Sequence, residues 1–104
     1  MPLITLDVSD TVPPSKRLAY ADAVHRGLVE GLGMDAEDRF QVIHPVPADH
    51  LIADPHYLGG TRSDPVYVRI LLTHMYGIDR KEAAFAAIAR NLEGEGVRPD
   101  DVFV

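Results

Sequence analysis

The stretch that decides the fold is Met1-Pro2-Leu3-Ile4-Thr5-Leu6-Asp7-Val8, at the head of the sequence. From Leu3 to Val8, strongly apolar residues alternate with a second set that contains threonine and aspartate. A period of two predicts a half-buried β-strand. Pro2 stands at the start of this strand, where its missing N–H costs no hydrogen bond of the sheet. The stretch therefore predicts that the fold begins with a strand.

Pro2 also has a chemical interpretation. If Met1 is removed, Pro2 presents a free secondary amine at the head of an apolar strand. An ordinary α-amino group titrates near pH ~8, and burial lowers that pKa because desolvation disfavours the ammonium form. A base whose pKa lies near the working pH suits proton transfer. Pro2 is thus a candidate general base, and an ordinary strand start is the alternative.

The rest of the chain alternates between helical and extended patterns. After a proline-rich turn, apolar positions recur at helical spacing as far as Leu32, and Gly33 is a natural helix stop. The long connection that follows the second strand lacks periodicity, and connections of this length are often functional. In chain order, we predict a helix ending at Leu32, a strand over 39–46, the connection over 47–65, a strand over 66–73, a helix over about 79–92 and a short strand within 97–104.

The two halves of the chain resemble each other at an offset of about 65 residues, with one two-residue gap, which indicates an internal duplication. Right-handed crossovers make the two strands of each half parallel. We predict an α/β (α+β) fold in a single domain over 1–104. Its halves, about 1–46 and 66–104, build a four-stranded sheet with two helices on one face. The matched residues are Lys16, Tyr20 and the triplet 38–40 in the first half, and Lys81, Phe85 and the triplet 101–103 in the second.

The other face of this sheet needs a cover that the chain does not supply, which predicts oligomerisation. Ten basic residues against sixteen acidic ones give a net charge of −6, which argues against a nucleic-acid partner. No apolar run approaches the ~18 residues needed to cross a bilayer and no signal peptide is evident, so we predict a cytoplasmic protein without a membrane partner. The absence of cysteine removes disulfides, thiolate nucleophiles and zinc–thiolate sites.

Three histidines recur every six residues around the long connection, at His44, His50 and His56. Metal ligands on a strand or helix usually follow i,i+2 or i,i+4 spacing, and these histidines follow neither. We therefore predict no metal site and no cofactor.

Pro2 at a strand start, the β-α-β duplication and the stretch Asp38-Arg39-Phe40-Gln41-Val42 together resemble the tautomerase superfamily, and most closely its malonate semialdehyde decarboxylase-like branch. The resemblance extends over the whole chain. Its further elements are Ala23-Val24-His25, Tyr57-Leu58-Gly59-Gly60 followed by Arg62-Ser63, Lys81 with Phe85, and the closing stretch 98–104.

The resemblance implies a homotrimer in which the amino-terminal proline acts as base or acid on small oxo acids, without a cofactor. It implies that Asp38 occupies the catalytic acidic position of that branch, where a carboxylate orients or activates a water. The branch also carries two arginines after the third strand that grip the substrate carboxylate. His74 and Tyr76 stand at those places here, and neither side chain reproduces a bidentate guanidinium.

Five residues are further candidates around such a site. Arg62 and Arg69, or an arginine of a neighbouring subunit, are candidates for binding the substrate carboxylate. Tyr76 could donate a hydrogen bond to a carbonyl or enolate oxygen, and His74 could do so or shuttle a proton. His25, near the apolar stripe of the first helix, is a candidate for substrate binding, with a packed structural histidine as the alternative.

Three functions stay open at this point. The first is a tautomerase or isomerase acting on a small keto or enol oxo acid through Pro2, Asp38 and either His74 or Tyr76. Semialdehyde decarboxylation or hydration is disfavoured by the missing arginines. The second is a non-catalytic trimeric relative that keeps Met1 and serves as a binding or scaffold module. The third is an unrelated ferredoxin-like regulatory domain, which predicts antiparallel strand pairing and a dimer.

Overall fold

The computed structural model describes residues 1–104 and shows a four-stranded sheet with two helices. Three short 3-10 turns lie in the connections, two of them within the predicted long connection. The order of elements confirms the predicted duplication of a β-α-β unit. The strands and helices are β1 Leu3–Ser9, α1 Pro14–Leu32, β2 Gln41–Val46, β3 Val66–Leu71, α2 Ile78–Gly94 and β4 Val102–Phe103.

The strands lie in the order β2-β1-β3-β4. The strands within each half are parallel, β1 with β2 and β3 with β4, whereas β1 and β3 join the two halves in an antiparallel pair. This confirms the parallel pairing predicted for each half. It is contrary to the antiparallel pairing that the ferredoxin-like alternative predicts.

The register of β1 fixes which segments surround its amino end. Ile4 pairs with Gln41, the first residue of β2, and Leu3 pairs with Leu71, the last residue of β3. The segment before β2 and the turn after β3 therefore both lie at the end of the sheet where Pro2 is found.

The core lies between the sheet and the helices. The alternating residues Ile4, Leu6 and Val8 of β1 are at most 2% exposed, as the period-two pattern predicts. Leu28 of α1 and Ile88 of α2 are fully buried members of the same cluster. Complete burial of a side chain of this size contributes about 1.5–3 kcal/mol.

The two helices touch each other closely because α1 carries glycine at the contact. A Cβ atom added to Gly31 would lie 2.2 Å from the Ala84 backbone, and one added to Gly27 would lie 2.7 Å from Ile88. Both distances are shorter than any real carbon contact, so a larger residue would force the helices apart. Gly33 ends α1 with φ 68°, and its N–H donates to Val29 O at 3.0 Å.

The sheet face opposite the helices is open. Leu3, Val42 and Leu71 project from it with 41%, 45% and 62% exposure. Neither helix has the length and apolar content that a membrane crossing requires.

Candidate active site at the amino end of strand β1

Pro2 is buried at the amino end of β1. Its side chain is less than 2% exposed, whereas Met1 is 62% exposed. Burial follows from the alternation of the strand, because Pro2 shares its face with Ile4, Leu6 and Val8. The proline ring therefore lies at the edge of the core while the chain before it reaches solvent.

Asp38 lies beside the amino terminus. Its Oδ2 atom is 3.5 Å from the α-amino nitrogen of Met1, and its side chain is 26% exposed. The backbone holds the two segments together, since Ile4 N–H donates to Phe40 O at 3.0 Å. A carboxylate at this point can stabilise a cationic amine or orient a polar ligand. The structure thus places the Asp38 carboxylate next to Met1, the residue that precedes Pro2.

His74 and Tyr76 lie in the turn between β3 and α2, at the same end of the sheet as Pro2. His74 is exposed, whereas Tyr76 is half-buried and packs against the hydrophobic core. Because neither side chain forms a hydrogen bond within the chain, both keep their polar atoms available to a ligand.

Arg62 lies far from Pro2 within one chain. Its Nη1 atom donates to Tyr57 O at 2.6 Å and to Asp54 O at 3.2 Å. Its guanidinium lies 5.5 Å from the ring centroid of Phe103. Phe103 belongs to the far end of the sheet, about five residues or ~17 Å along the strands from Pro2. Arg62 therefore links the long connection, residues 47–65, to Phe103 of β4.

Arg69 projects from the open sheet face. It is 72% exposed, and its Nη2 atom lies 3.9 Å from Asp7 Oδ2. His44 Nδ1 lies 3.2 Å from the other oxygen of the same carboxylate. Arg69 therefore belongs to a charged cluster on the open face and is not directed at Pro2 in the isolated chain.

His25 is 9% exposed in α1, and its Nε2 atom lies 2.8 Å from Ala36 O. A carbonyl oxygen only accepts, so Nε2 carries the hydrogen and donates it. Ala36 lies two residues before Asp38. His25 thus contacts the segment that carries Asp38, and its bond goes to the backbone.

Three further polar residues form hydrogen bonds next to this segment, and the sequence did not predict a functional role for any of them. Arg39 Nη2 donates to Asp22 Oδ1 at 2.6 Å, and Arg39 Nε donates to Gln41 Oε1 at 2.8 Å. Gln41 Nε2 donates in turn to Ala21 O at 2.9 Å. These contacts join α1 to the start of β2. In the sequence, Arg39 and Gln41 stand out only as members of the stretch Asp38-Arg39-Phe40-Gln41-Val42. Nothing in the sequence distinguishes Asp22 from other charged residues of α1.

A cavity of about 270 Å³ lies at the end of β1 opposite Pro2. Tyr20 is 8% exposed there and its hydroxyl has no hydrogen-bond partner within the chain. Burial raises the pKa of the Tyr20 phenol, with a lowering contribution from Lys16 and raising contributions from Asp64 and Glu95. The phenol therefore stays neutral to higher pH than an exposed tyrosine does.

The histidines of the six-residue series do not converge. His44 contacts Asp7 on the sheet, while His50 lies 4.0 Å from Asp49, its neighbour in sequence. No group of three or more His, Cys, Asp or Glu side chains is arranged to hold a metal ion.

Comparison with known proteins relates the whole chain to one family. Two family models, both described as tautomerase enzymes, match residues 2–60 and 38–104. Probable tautomerase YusQ of Bacillus subtilis is 31% identical over 83 residues, which make up 78% of this chain and 65% of that protein. The chain thus spans somewhat less than two thirds of the length of this relative.

Solved structures give the same relationship. The structure of FG41 malonate semialdehyde decarboxylase inhibited by 3-bromopropiolate superposes with a TM-score of 0.92 and 37% identity, over 97% of this chain and 78% of that one. A symmetric trimer of wild-type fused 4-OT gives a TM-score of 0.80 over 98% of this chain and 80% of that one. At 17% identity, this second match shows the shared fold alone.

Proposed function

Because the chain belongs to the tautomerase family, we propose that Pro2, once Met1 has been removed, transfers a proton on a small keto or enol oxo acid without a cofactor. The observation that carries the proposal is the position of Asp38, whose carboxylate lies 3.5 Å from the Met1 nitrogen, next to the Pro2 nitrogen that removal of Met1 would expose. A buried proline beside a half-buried carboxylate is a suitable pair for proton transfer.

The proposed step is an isomerisation in which one hydrogen changes place. The Pro2 nitrogen takes the proton of the enol hydroxyl, and the resulting ammonium delivers a proton to the neighbouring carbon, which yields the ketone. Asp38 stabilises the ammonium by its opposite charge. Because the substrate is isomerised without gain or loss of electrons, the step requires no oxidant or reductant.

Tyr76 and His74 are the proposed partners of the substrate oxygen. Both lie at the end of the sheet where Pro2 is found, and both have free polar atoms. A donor that faces an enolate oxygen lowers the barrier because charge develops there during the reaction. Tyr76 is the better placed of the two, since its packing against the core restricts the ring.

We further propose that the protein is a homotrimer that covers its open sheet face. Leu3, Val42 and Leu71 leave apolar surface exposed on that face. The fused 4-OT relative with the same fold is described as a symmetric trimer. Assembly would also allow Arg62 or Arg69 of a neighbouring subunit to reach the substrate carboxylate, which neither residue approaches within one chain.

The test is ketonisation of an aryl-pyruvate enol by protein whose intact mass shows that Met1 is absent. We expect a rate well above buffer, and a loss of about 100-fold or more when Met1 is retained, since Pro2 is then an amide without a basic nitrogen. A pentapeptide tag at the carboxyl end, far from Pro2 in sequence, is the control for added length. A rate equal to buffer in Met1-free trimers would contradict the proposal for this substrate class.

Two further functions have support from single observations. The 37% identity with FG41 malonate semialdehyde decarboxylase supports a decarboxylase activity, and malonate semialdehyde is the second substrate to assay. The contact between the Met1 amine and Asp38 supports a non-catalytic binding module that keeps Met1. The intact mass of protein isolated from its native host distinguishes this module from the enzyme, because complete retention of Met1 leaves Pro2 inert.

A further inference from the structure

We propose that helix α1 positions Asp38 for proton transfer through two contacts that lie on either side of it. The first, the His25 contact, joins His25 Nε2 to Ala36 O. The second, the Asp22 contact, joins the Asp22 carboxylate to the Arg39 guanidinium. The inference rests on the proposed function, because it assigns positioning residues to that same site. Neither His25 nor Asp22 contacts the amino terminus.

The His25 contact fixes the chain two residues before Asp38. The distance between Nε2 and the Ala36 oxygen is 2.8 Å, and the ring is 9% exposed. A buried hydrogen bond faces little competition from water and holds its geometry better than an exposed one. The hydrogen bond from the His25 ring therefore fixes the distance between α1 and the segment that carries Asp38.

The Asp22 contact fixes the chain one residue after Asp38. Arg39 Nη2 lies 2.6 Å from Asp22 Oδ1, and Arg39 Nε donates to Gln41 Oε1 at 2.8 Å. Gln41 Nε2 reaches Ala21 O at 2.9 Å, which makes a chain of hydrogen bonds between β2 and α1. Arg39 and Asp22 are 38% and 54% exposed, so solvent weakens this charge-assisted bond, and we expect it to contribute less to positioning than the buried His25 contact does.

Asp22 also keeps the Arg39 guanidinium away from the neighbouring carboxylate. Arg39 follows Asp38 directly, so a free guanidinium could pair with Asp38 and neutralise it. Asp22 satisfies Arg39 on the α1 side, whereas Asp38 faces the amino terminus. Asp38 is thereby left to act on the Pro2 amine.

The segment needs such support because it has little structure of its own. Between Gly33 and Phe40 no helix or strand is formed. Two turn bonds, Asp38 N–H to Asp35 O and Arg39 N–H to Glu37 O, are its internal backbone hydrogen bonds. A displacement of about 1 Å in a reacting group can cost ~100-fold in rate. Contacts on both sides of Asp38 therefore bear directly on the reaction.

The experiment compares His25→Ala, His25→Gln and Asp22→Asn in Met1-free protein, using ketonisation of an aryl-pyruvate enol. We expect kcat to fall about 10- to 100-fold in His25→Ala and about 3- to 10-fold in Asp22→Asn, with KM within about threefold of the parent. His25→Gln should recover much of the loss, because its amide can donate to Ala36 O.

The matched control is Glu30→Gln, which removes another ion pair of α1. Glu30 Oε2 lies 3.1 Å from Arg90 Nη2, on a part of the helix that does not touch the Asp38 segment. This variant should keep the kcat of the parent. Equal losses in Glu30→Gln and Asp22→Asn would overturn the inference, because a general weakening of α1 would then explain both.

A double-mutant cycle separates positioning from a merely structural role. In an Asp38→Asn background, His25→Ala and Asp22→Asn should cost less than about twofold further, because the group they position is already lost. Losses that multiply in full would overturn the inference. If His25→Ala does not fold, the same cycle with Asp22→Asn and His25→Gln decides the outcome.

Amide hydrogen exchange tests the contacts independently of activity. Exchange over residues 34–40 should accelerate at least about tenfold in His25→Ala or Asp22→Asn and remain unchanged in Glu30→Gln. Unchanged exchange in an active enzyme would overturn the inference and leave the proposed function intact. Accelerated exchange with no activity in the parent would instead support the contacts and refute the proposed function.

Discussion

Asp38 and Asp101 stand at corresponding positions in the two halves of the chain, shortly before the strand that closes each half. Asp38 is 26% exposed and faces the amino terminus at 3.5 Å. Asp101 is 2% exposed, and its Oδ1 atom accepts a hydrogen bond from Ser63 N–H at 2.9 Å. The same residue type thus serves a candidate site in one half and a structural bond in the other.

The difference arises from what lies in front of each carboxylate. The first half begins at the amino terminus, so Asp38 meets an amine. The second half is preceded by the long connection, so Asp101 meets the backbone of that connection, which Arg98 also joins by donating to Thr61 O at 2.8 Å. In this duplicated fold, the function of each aspartate therefore depends on the segment that precedes its half of the chain.

A second matched pair differs in the same way. Tyr20 of α1 is 8% exposed at the cavity opposite Pro2, whereas its counterpart Phe85 of α2 is 42% exposed. The polar ring is thus the more buried one. Its hydroxyl has no partner within the chain, and its burial raises the pKa of Tyr20.

The largest expected effect comes from removing the negative charge of Asp38. In Met1-free protein, Asp38→Asn should lower kcat about 100- to 10,000-fold, while the free energy of unfolding changes by less than about 0.5 kcal/mol. Enzyme kinetics and urea unfolding measure the two quantities. If Asp38→Asn keeps the kcat of the parent, Asp38 has no catalytic role, and the proposed functional difference between Asp38 and Asp101 is wrong.

The next effect concerns the contact between the two halves. Gly31→Ala should lower the free energy of unfolding by about 3 kcal/mol, because the new methyl group would meet the Ala84 backbone. Urea unfolding measures the change. The control is Gly94→Ala near the end of α2, where an added Cβ has no neighbour within 4 Å. Equal stability of the two variants would show that the halves do not need this close approach.

Removal of the structural carboxylate should have a smaller effect on stability. Asp101→Ala leaves Ser63 N–H without a partner and should cost about 1–3 kcal/mol in unfolding free energy. Asp100→Ala is the matched control, since the exposed Asp100 Oδ2 accepts from Thr61 N–H at 3.0 Å. We expect Asp100→Ala to cost less, and thermal or urea unfolding of both variants measures the difference. A larger loss in Asp100→Ala would contradict a structural role for Asp101.

The smallest effect is a pH dependence at Tyr20. The pKa of Tyr20 is raised in the folded protein, so this group stabilises the fold below the unfolded value near pH ~10 and loses that contribution as pH rises through the folded value. The unfolding free energy of the parent should therefore decline more steeply above pH ~10 than that of Tyr20→Phe. Urea unfolding across that range measures both slopes. Identical slopes would show that the phenol is not desolvated.

Local patterns predicted much of this fold. The alternation in β1, the helical spacing that stops at Gly33 and the similarity between the halves led to the observed order of elements and to the parallel pairs. The predicted ends of the strands were less accurate, since β2 begins at Gln41 and not at Arg39. A turn bond from Arg39 N–H to Glu37 O bends the chain there, and such a bond leaves no periodic signal.

The site was predicted less completely than the fold. The resemblance named Pro2 and Asp38 as catalytic residues, and in the structure the Asp38 carboxylate lies 3.5 Å from the Met1 nitrogen. The bonds of His25 and Arg39 depend on how α1 lies against the segment before β2, which residue spacing does not encode. The close approach of the helices at Gly31 depends on the same packing. The roles of His74, Tyr76, Arg62 and Arg69 remain predictions.

The central claim is that Pro2, once freed of Met1, is the reactive amine of this protein. The most direct measurement is peptide mapping after treatment of the Met1-free protein with a small electrophilic alkynoic acid, which forms a bond between carbon and an unprotonated amine. We predict one adduct, on the Pro2 nitrogen, and no adduct there when Met1 is retained. An unlabelled Pro2 in the Met1-free protein, or labelling that falls on lysines instead, would contradict the claim.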